Sequence, residues 1–89
     1  ADIELYMDFT PKDLTIAPGD CVEFAMSRTH NAVEVSQATY DERGVTPLDG
    51  GFAVQYGATE QVQFNEPGVH SYICQPHVNT GMVGTITVQ

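Results

Sequence analysis

Ile3, Leu5 and Met7 alternate with Asp2, Glu4 and Tyr6 at the start of the chain, the period-two signature of a half-buried strand. Thr10-Pro11-Lys12-Asp13 breaks that pattern, and Leu14-Thr15-Ile16 reads as a short second strand. Pro18-Gly19-Asp20 is a turn, since proline presets φ and glycine tolerates φ > 0. From Cys21 to Met26 alternation resumes, with Val22, Phe24 and Met26 on the core face. Val33 and Val35 continue as a strand, followed by an excursion from Tyr40 to Gly51 with little hydrophobic periodicity. So long a connection is either variable surface or a segment packed against a site. Phe52–Tyr56, Gln61–Phe64, Val69–Cys74 and Gly84–Gln89 complete the set, with Asn65-Glu66-Pro67-Gly68 as a further turn. Seven or eight short strands without a long helix predict an all-β chain folded as an antiparallel sandwich, in one domain spanning 1–89.

The phase of the alternation bears on the two cysteines. Cys21 shares its face with Glu23 and Ala25 and is expected to look outward, which makes it a poor disulfide partner for Cys74. Met7 and Met26 fall on core faces, where packing is the expected role.

Composition narrows the partners. Twelve acidic residues against three basic ones give a formal charge of −9. That balance argues against nucleic acid or an anionic membrane and favours a basic protein partner, or solubility alone. No apolar run approaches the ~20 residues of a membrane span. Ala1-Asp2 leads directly into the first strand, so the sequence reads as a mature exported chain, or a trimmed one, without a signal peptide.

The chemistry is concentrated in Cys74-Gln75-Pro76-His77-Val78-Asn79-Thr80-Gly81-Met82. A thiolate, an imidazole and a thioether lie within nine residues, and His30-Asn31 can supply a second imidazole from upstream. Two His, one Cys and a weak axial Met compose a blue-copper electron-transfer site, which suits both Cu(II) and Cu(I). A Cys21–Cys74 disulfide is the simplest structural alternative for two cysteines in a β domain. A structural zinc site would want more Cys and His and no thioether. His70 lies four residues before Cys74 in an extended strand, about 13 Å away at ~3.3 Å per residue, and is set aside as a ligand.

His-Asn followed by Cys-x-Pro-His-x-x-x-x-Met resembles the ligand pattern of the plastocyanin and pseudoazurin branch of the cupredoxins. The flanking text His30-Asn31-Ala32-Val33-Glu34-Val35-Ser36, with Tyr40-Asp41 beyond, also resembles plant phytocyanins, although those place more residues between the Cys and the second His. The resemblance implies Greek-key connections and one copper ion held by His30, Cys74, His77 and Met82. It implies a non-enzymatic one-electron carrier, exported to a periplasmic, extracellular or lumenal space. The carrier would act as a monomer, with a cytochrome-like partner presenting a basic docking surface. Asn31 is expected to donate its backbone N–H to the Cys74 sulfur and to tie the ligand segments together; Pro76 is expected to withhold a donor and stiffen the loop. The outer edge of His77 would be the electron exit, with Pro76 and Val78 in the docking patch. Copper handling as a chaperone or store, or service as the electron-entry domain of a larger oxidoreductase or surface protein, are the alternatives.

Overall fold

The structure, a computed structural model, describes residues 2–5 and 9–89, with residues 2–5 and Thr10 defined by their backbone alone. Met7 therefore lies outside the described residues. Two sheets face one another. One has the order β2-β1-β4-β7, from β1 (Asp2–Leu5), β2 (Phe9–Thr10), β4 (Cys21–Ala25) and β7 (Thr59–Gln63). The other has the order β3-β9-β8-β5-β6, from β3 (Asp13–Ile16), β5 (Ala32–Val35), β6 (Ala53–Val54), β8 (Gly68–Ile73) and β9 (Val83–Val88). Of the nine strands among the described residues, only the two-residue β2 is not expected from the alternation, and the expected Phe52–Tyr56 strand shortens to β6. The sandwich is not antiparallel throughout, however. β1 pairs parallel with β4, and β3 parallel with β9. Each joins, within one sheet, strands distant in sequence, which a pattern of local hairpins cannot reveal.

The alternation decides which side chains meet between the sheets. On β4, Val22 and Phe24 are fully buried, as nearly is Met26 just beyond its end, while Cys21 is exposed opposite Gln63 of β7. No disulfide joins Cys21 to Cys74. The turn into β4 is held by the Asp20 carboxylate, which accepts the Ala17 N–H at 3.0 Å, with Gly19 at φ 91°. Tyr72 of β8 sits at the centre of the core. Its ring meets Phe9 at 4.7 Å and Phe24 at 5.4 Å between centroids, both edge-on. Such pairings add to the apolar area they bury. Its cross-strand neighbour on β9 must be glycine: a Cβ at Gly84 would stand 2.5 Å from the phenol and 2.8 Å from the Lys12 carbonyl.

A second, smaller core lies apart from the main one. Val35 of β5, Ile73 of β8 and Val83 of β9 are covered by Val78, with Tyr40 packed alongside. Tyr40 belongs to α1 (Gln37–Asp41), a five-residue helix capped by Ser36, whose Oγ accepts the Thr39 N–H at 3.1 Å. One turn of helix is too short to show hydrophobic periodicity, and its only sequence signal is the Ser36 cap. This cluster also places Val78. The valine is 3% exposed, so it anchors the metal loop inward and does not belong to a docking patch.

Candidate metal centre

β8 ends at Ile73, and the chain turns at once into a 3₁₀ helix, Gln75–Thr80, with Cys74 at its N-cap and proline in its first turn. Proline is preorganised for that position, where its missing N–H would have no intrahelical partner. The base of the loop is closed by the backbone. Cys74 N–H donates to the Met82 carbonyl at 3.0 Å, and His77 N–H to the Cys74 carbonyl at 3.2 Å. Met82 N–H donates to the His77 carbonyl at 3.2 Å. Gly81, at φ 91°, makes the left-handed step that returns the chain to β9.

Within this frame three donor atoms converge. His30 Nδ1 and His77 Nδ1 are 3.1 Å apart, and Cys74 Sγ lies 3.6 Å from the first and 3.4 Å from the second. A point equidistant from all three is about 2 Å from each, the length of a metal–imidazole bond. The triangle therefore fits a single ion. Burial and the neighbouring His77 hold the pKa of His30 below the ordinary imidazole value, which favours the neutral ring a metal requires. Cys74 is completely buried, whereas both histidines are partly exposed. Met82 is also completely buried, in the same apolar cluster as Cys74. Sulfur and imidazole donors together, with no carboxylate in the cluster, suit copper rather than a hard cation.

Of the residues singled out from sequence, His30, Cys74 and His77 come together at their donor atoms, and Met82 enters the same loop. Asn31 is 3% exposed, and its side-chain oxygen accepts the Gln75 N–H at 2.9 Å, which ties the two ligand segments together. Pro76 is exposed at the loop surface. His70 stands apart from the ligands. Its Nδ1 meets Glu34 Oε2 at 2.8 Å and its Nε2 the Glu66 carbonyl at 2.9 Å. A concavity of about 340 Å³ opens beside His70, and none of the four candidate ligands lines it. Gln75 escaped sequence reasoning. A glutamine between a cysteine and a proline carries no chemical signal, and its partners come from 30 and 44 residues away.

Comparison with known proteins agrees with this geometry. A family model described as copper-binding proteins of the plastocyanin/azurin family matches residues 1–89. Plastocyanin of Prochlorothrix hollandica is 36% identical over 83 residues, covering 91% of this chain, which spans 63% of that relative's length. Among solved structures, the pseudoazurin from Sinorhizobium meliltoi superposes with a TM-score of 0.78 at 26% identity, covering 99% of this chain and 72% of that one. Spinach plantacyanin, at 20% identity and a TM-score of 0.74, covers 99% of this chain and 97% of its own, and shares the fold.

Proposed function

The chain belongs to the plastocyanin/azurin family of copper-binding proteins, and from that premise we propose that it is a one-electron carrier with a single copper held by His30, Cys74, His77 and Met82. The observation that carries this reading is the triangle of His30 Nδ1, His77 Nδ1 and Cys74 Sγ, sized for one ion. Copper supplies the reversible Cu(II)/Cu(I) couple. When bound, the ion would be held by the neutral imidazoles of His30 and His77, the Cys74 thiolate and the Met82 thioether. With four protein donors no open position remains for substrate, which suits a carrier rather than an enzyme.

Complete burial of Cys74 and Met82 distinguishes this reading from copper delivery, which calls for exposed, exchangeable ligands. The ring of His77, half-buried beside exposed Pro76, is the exit for the electron. Its partner is a redox protein with a basic surface, which the charge of −9 attracts, and the contact is small so that release is fast. As a single domain, 1–89 is proposed to act as a monomer in an exported setting, periplasmic, extracellular or lumenal. No helix of the described residues is long and apolar enough to cross a membrane.

Titration of the metal-free chain with Cu(II) tests the reading. One equivalent should generate an intense visible thiolate-to-copper absorption that Cys74→Ser abolishes. A colourless protein, or a coloured Cys74→Ser variant, would overturn it.

A further inference from the structure

We propose that Gln75 is a positioning residue for the metal centre, and that through it the segment after α1, residues 42–52, is part of the frame that holds the ligands; this rests on the copper reading above. Gln75 follows Cys74 directly, as Asn31 follows His30, and the two amides engage reciprocally. Gln75 N–H donates to Asn31 Oδ1 at 2.9 Å, and Asn31 Nδ2 donates to Gln75 Oε1 at 3.0 Å. The separation of His30 from Cys74 is thereby constrained by their immediate neighbours. The remaining end of the Gln75 side chain reaches the excursion, where Nε2 donates to the Val45 carbonyl at 2.9 Å.

That segment is itself fastened. Leu48 N–H donates to the Glu34 carbonyl at 2.8 Å. Phe52 N–H donates to Glu34 Oε1 at 3.2 Å, and Glu34 N–H to the Phe52 carbonyl at 2.9 Å. Gly51 passes so close that a Cβ there would lie 2.9 Å from the Glu34 Cβ. Glu34 belongs to β5, the strand that begins one residue after Asn31. The bonds thus form a closed circuit from Asn31 through Gln75, Val45, Leu48 and Glu34, back along β5.

The residue type matters. Gln75 must accept from Asn31 at one end and donate to Val45 at the other, and a primary amide does both. A carboxylate of the same length can only accept, and methionine offers neither bond. A frame closed in this way resists displacement of His30 and Cys74 when the charge on the metal changes. Rigid support of that kind is what makes electron transfer fast, because little nuclear rearrangement accompanies each exchange.

Two variants separate the halves of the brace. Gln75→Glu keeps acceptance from Asn31 and sets a carboxylate against the Val45 carbonyl, while Gln75→Met removes both side-chain bonds. With copper bound, electron self-exchange followed by NMR line broadening should slow roughly threefold in Gln75→Glu and about tenfold in Gln75→Met. The Cu(II) EPR spectrum should become more rhombic in the same order. Wild-type rates and an unchanged spectrum in both variants would overturn the proposal. A wild-type protein that never develops the visible band would instead refute the copper reading. The brace is decided separately on metal-free wild type by amide hydrogen exchange. The Gln75 N–H should exchange slowly there, and exchange as fast as in an unstructured peptide would refute the preformed frame.

Discussion

Met82 shows how a single side chain can serve packing and chemistry together. Its side chain is wholly buried in the main core, in the same apolar cluster as Cys74, so as the proposed fourth donor it would be shielded from water. Exchange for an amide oxygen makes that donor harder and stabilises Cu(II). Met82→Gln should therefore lower the reduction potential while retaining copper, and voltammetry of the two proteins would show it; an unchanged or higher potential would count against axial ligation. Tyr72 presents the opposite case of a buried group not fully served. Its hydroxyl has no hydrogen-bond partner among the described residues. Burial, reinforced by the charges of Asp13 and Tyr40, pushes its pKa well above the ordinary phenol value. Leaving a donor unsatisfied in the core costs about 1–3 kcal/mol. Tyr72→Phe keeps the edge-on contacts with Phe9 and Phe24 and should raise stability in denaturant by about 1 kcal/mol, whereas a loss of that size would mean the hydroxyl is served after all.

At the scale of elements, β8 carries the site at one end and a pH-sensitive clip nearer the other. Both nitrogens of His70 face oxygen acceptors, Glu34 Oε2 and the Glu66 carbonyl, and only the imidazolium can donate to both. Burial alone would lower its pKa. The bonds to the Glu66 carbonyl and the Glu34 carboxylate, together with the charges of both glutamates, outweigh burial and raise it above 6.5. A raised folded-state pKa gives stability that is fully present below the unfolded value and is lost as pH climbs through the folded one. Metal-free wild type should therefore lose stability relative to His70→Gln as pH rises above the ordinary imidazole pKa of about 6.5. A pH-independent difference between the two would refute the clip. The opposite end of β8 depends on packing. Ile73 and Val83 are covered by Val78 from the metal loop, with Tyr40 alongside. Val78→Asp buries a carboxylate in that cluster and should destabilise the fold by about 3 kcal/mol. Chemical unfolding would detect it, and a variant of wild-type stability would contradict the inward placement of this residue.

At the scale of the whole molecule the dominant feature is its negative charge. The chain carries twelve acidic residues against three basic ones, and none of the carboxylates belongs to the donor cluster of the site. Such a field raises the frequency of encounters with a basic protein but contributes little specific contact. Added salt should screen it, since the Debye length is only ~10 Å at 0.1 M. The second-order rate of electron exchange with a positively charged cytochrome is accordingly expected to fall steeply with ionic strength in stopped-flow measurements. A rate indifferent to salt would show that the net charge serves solubility alone. The surface proposed for contact is narrower than the sequence implies, because Val78 faces inward and leaves exposed Pro76 beside His77.

From the sequence alone the strands, the buried face of β4, the outward Cys21 and the four candidate ligands could be read. Each of those signals is local. Side chains alternate at period two along a strand, and sulfur and imidazole donors at short spacing are rare outside metal sites. Tertiary structure alone decided the parallel pairings of β1 with β4 and of β3 with β9, because strands far apart in sequence leave no turn residues to mark their register. It decided that Val78 is an anchor, since the loop's alternation is broken by a 3₁₀ helix and the covering Tyr40 comes from a helix one turn long. It also gave Gln75 its part in the site. Hydrogen bonds to Asn31 and Val45 span 44 and 30 residues, and a primary amide looks the same in a sequence whether solvent or the protein satisfies it.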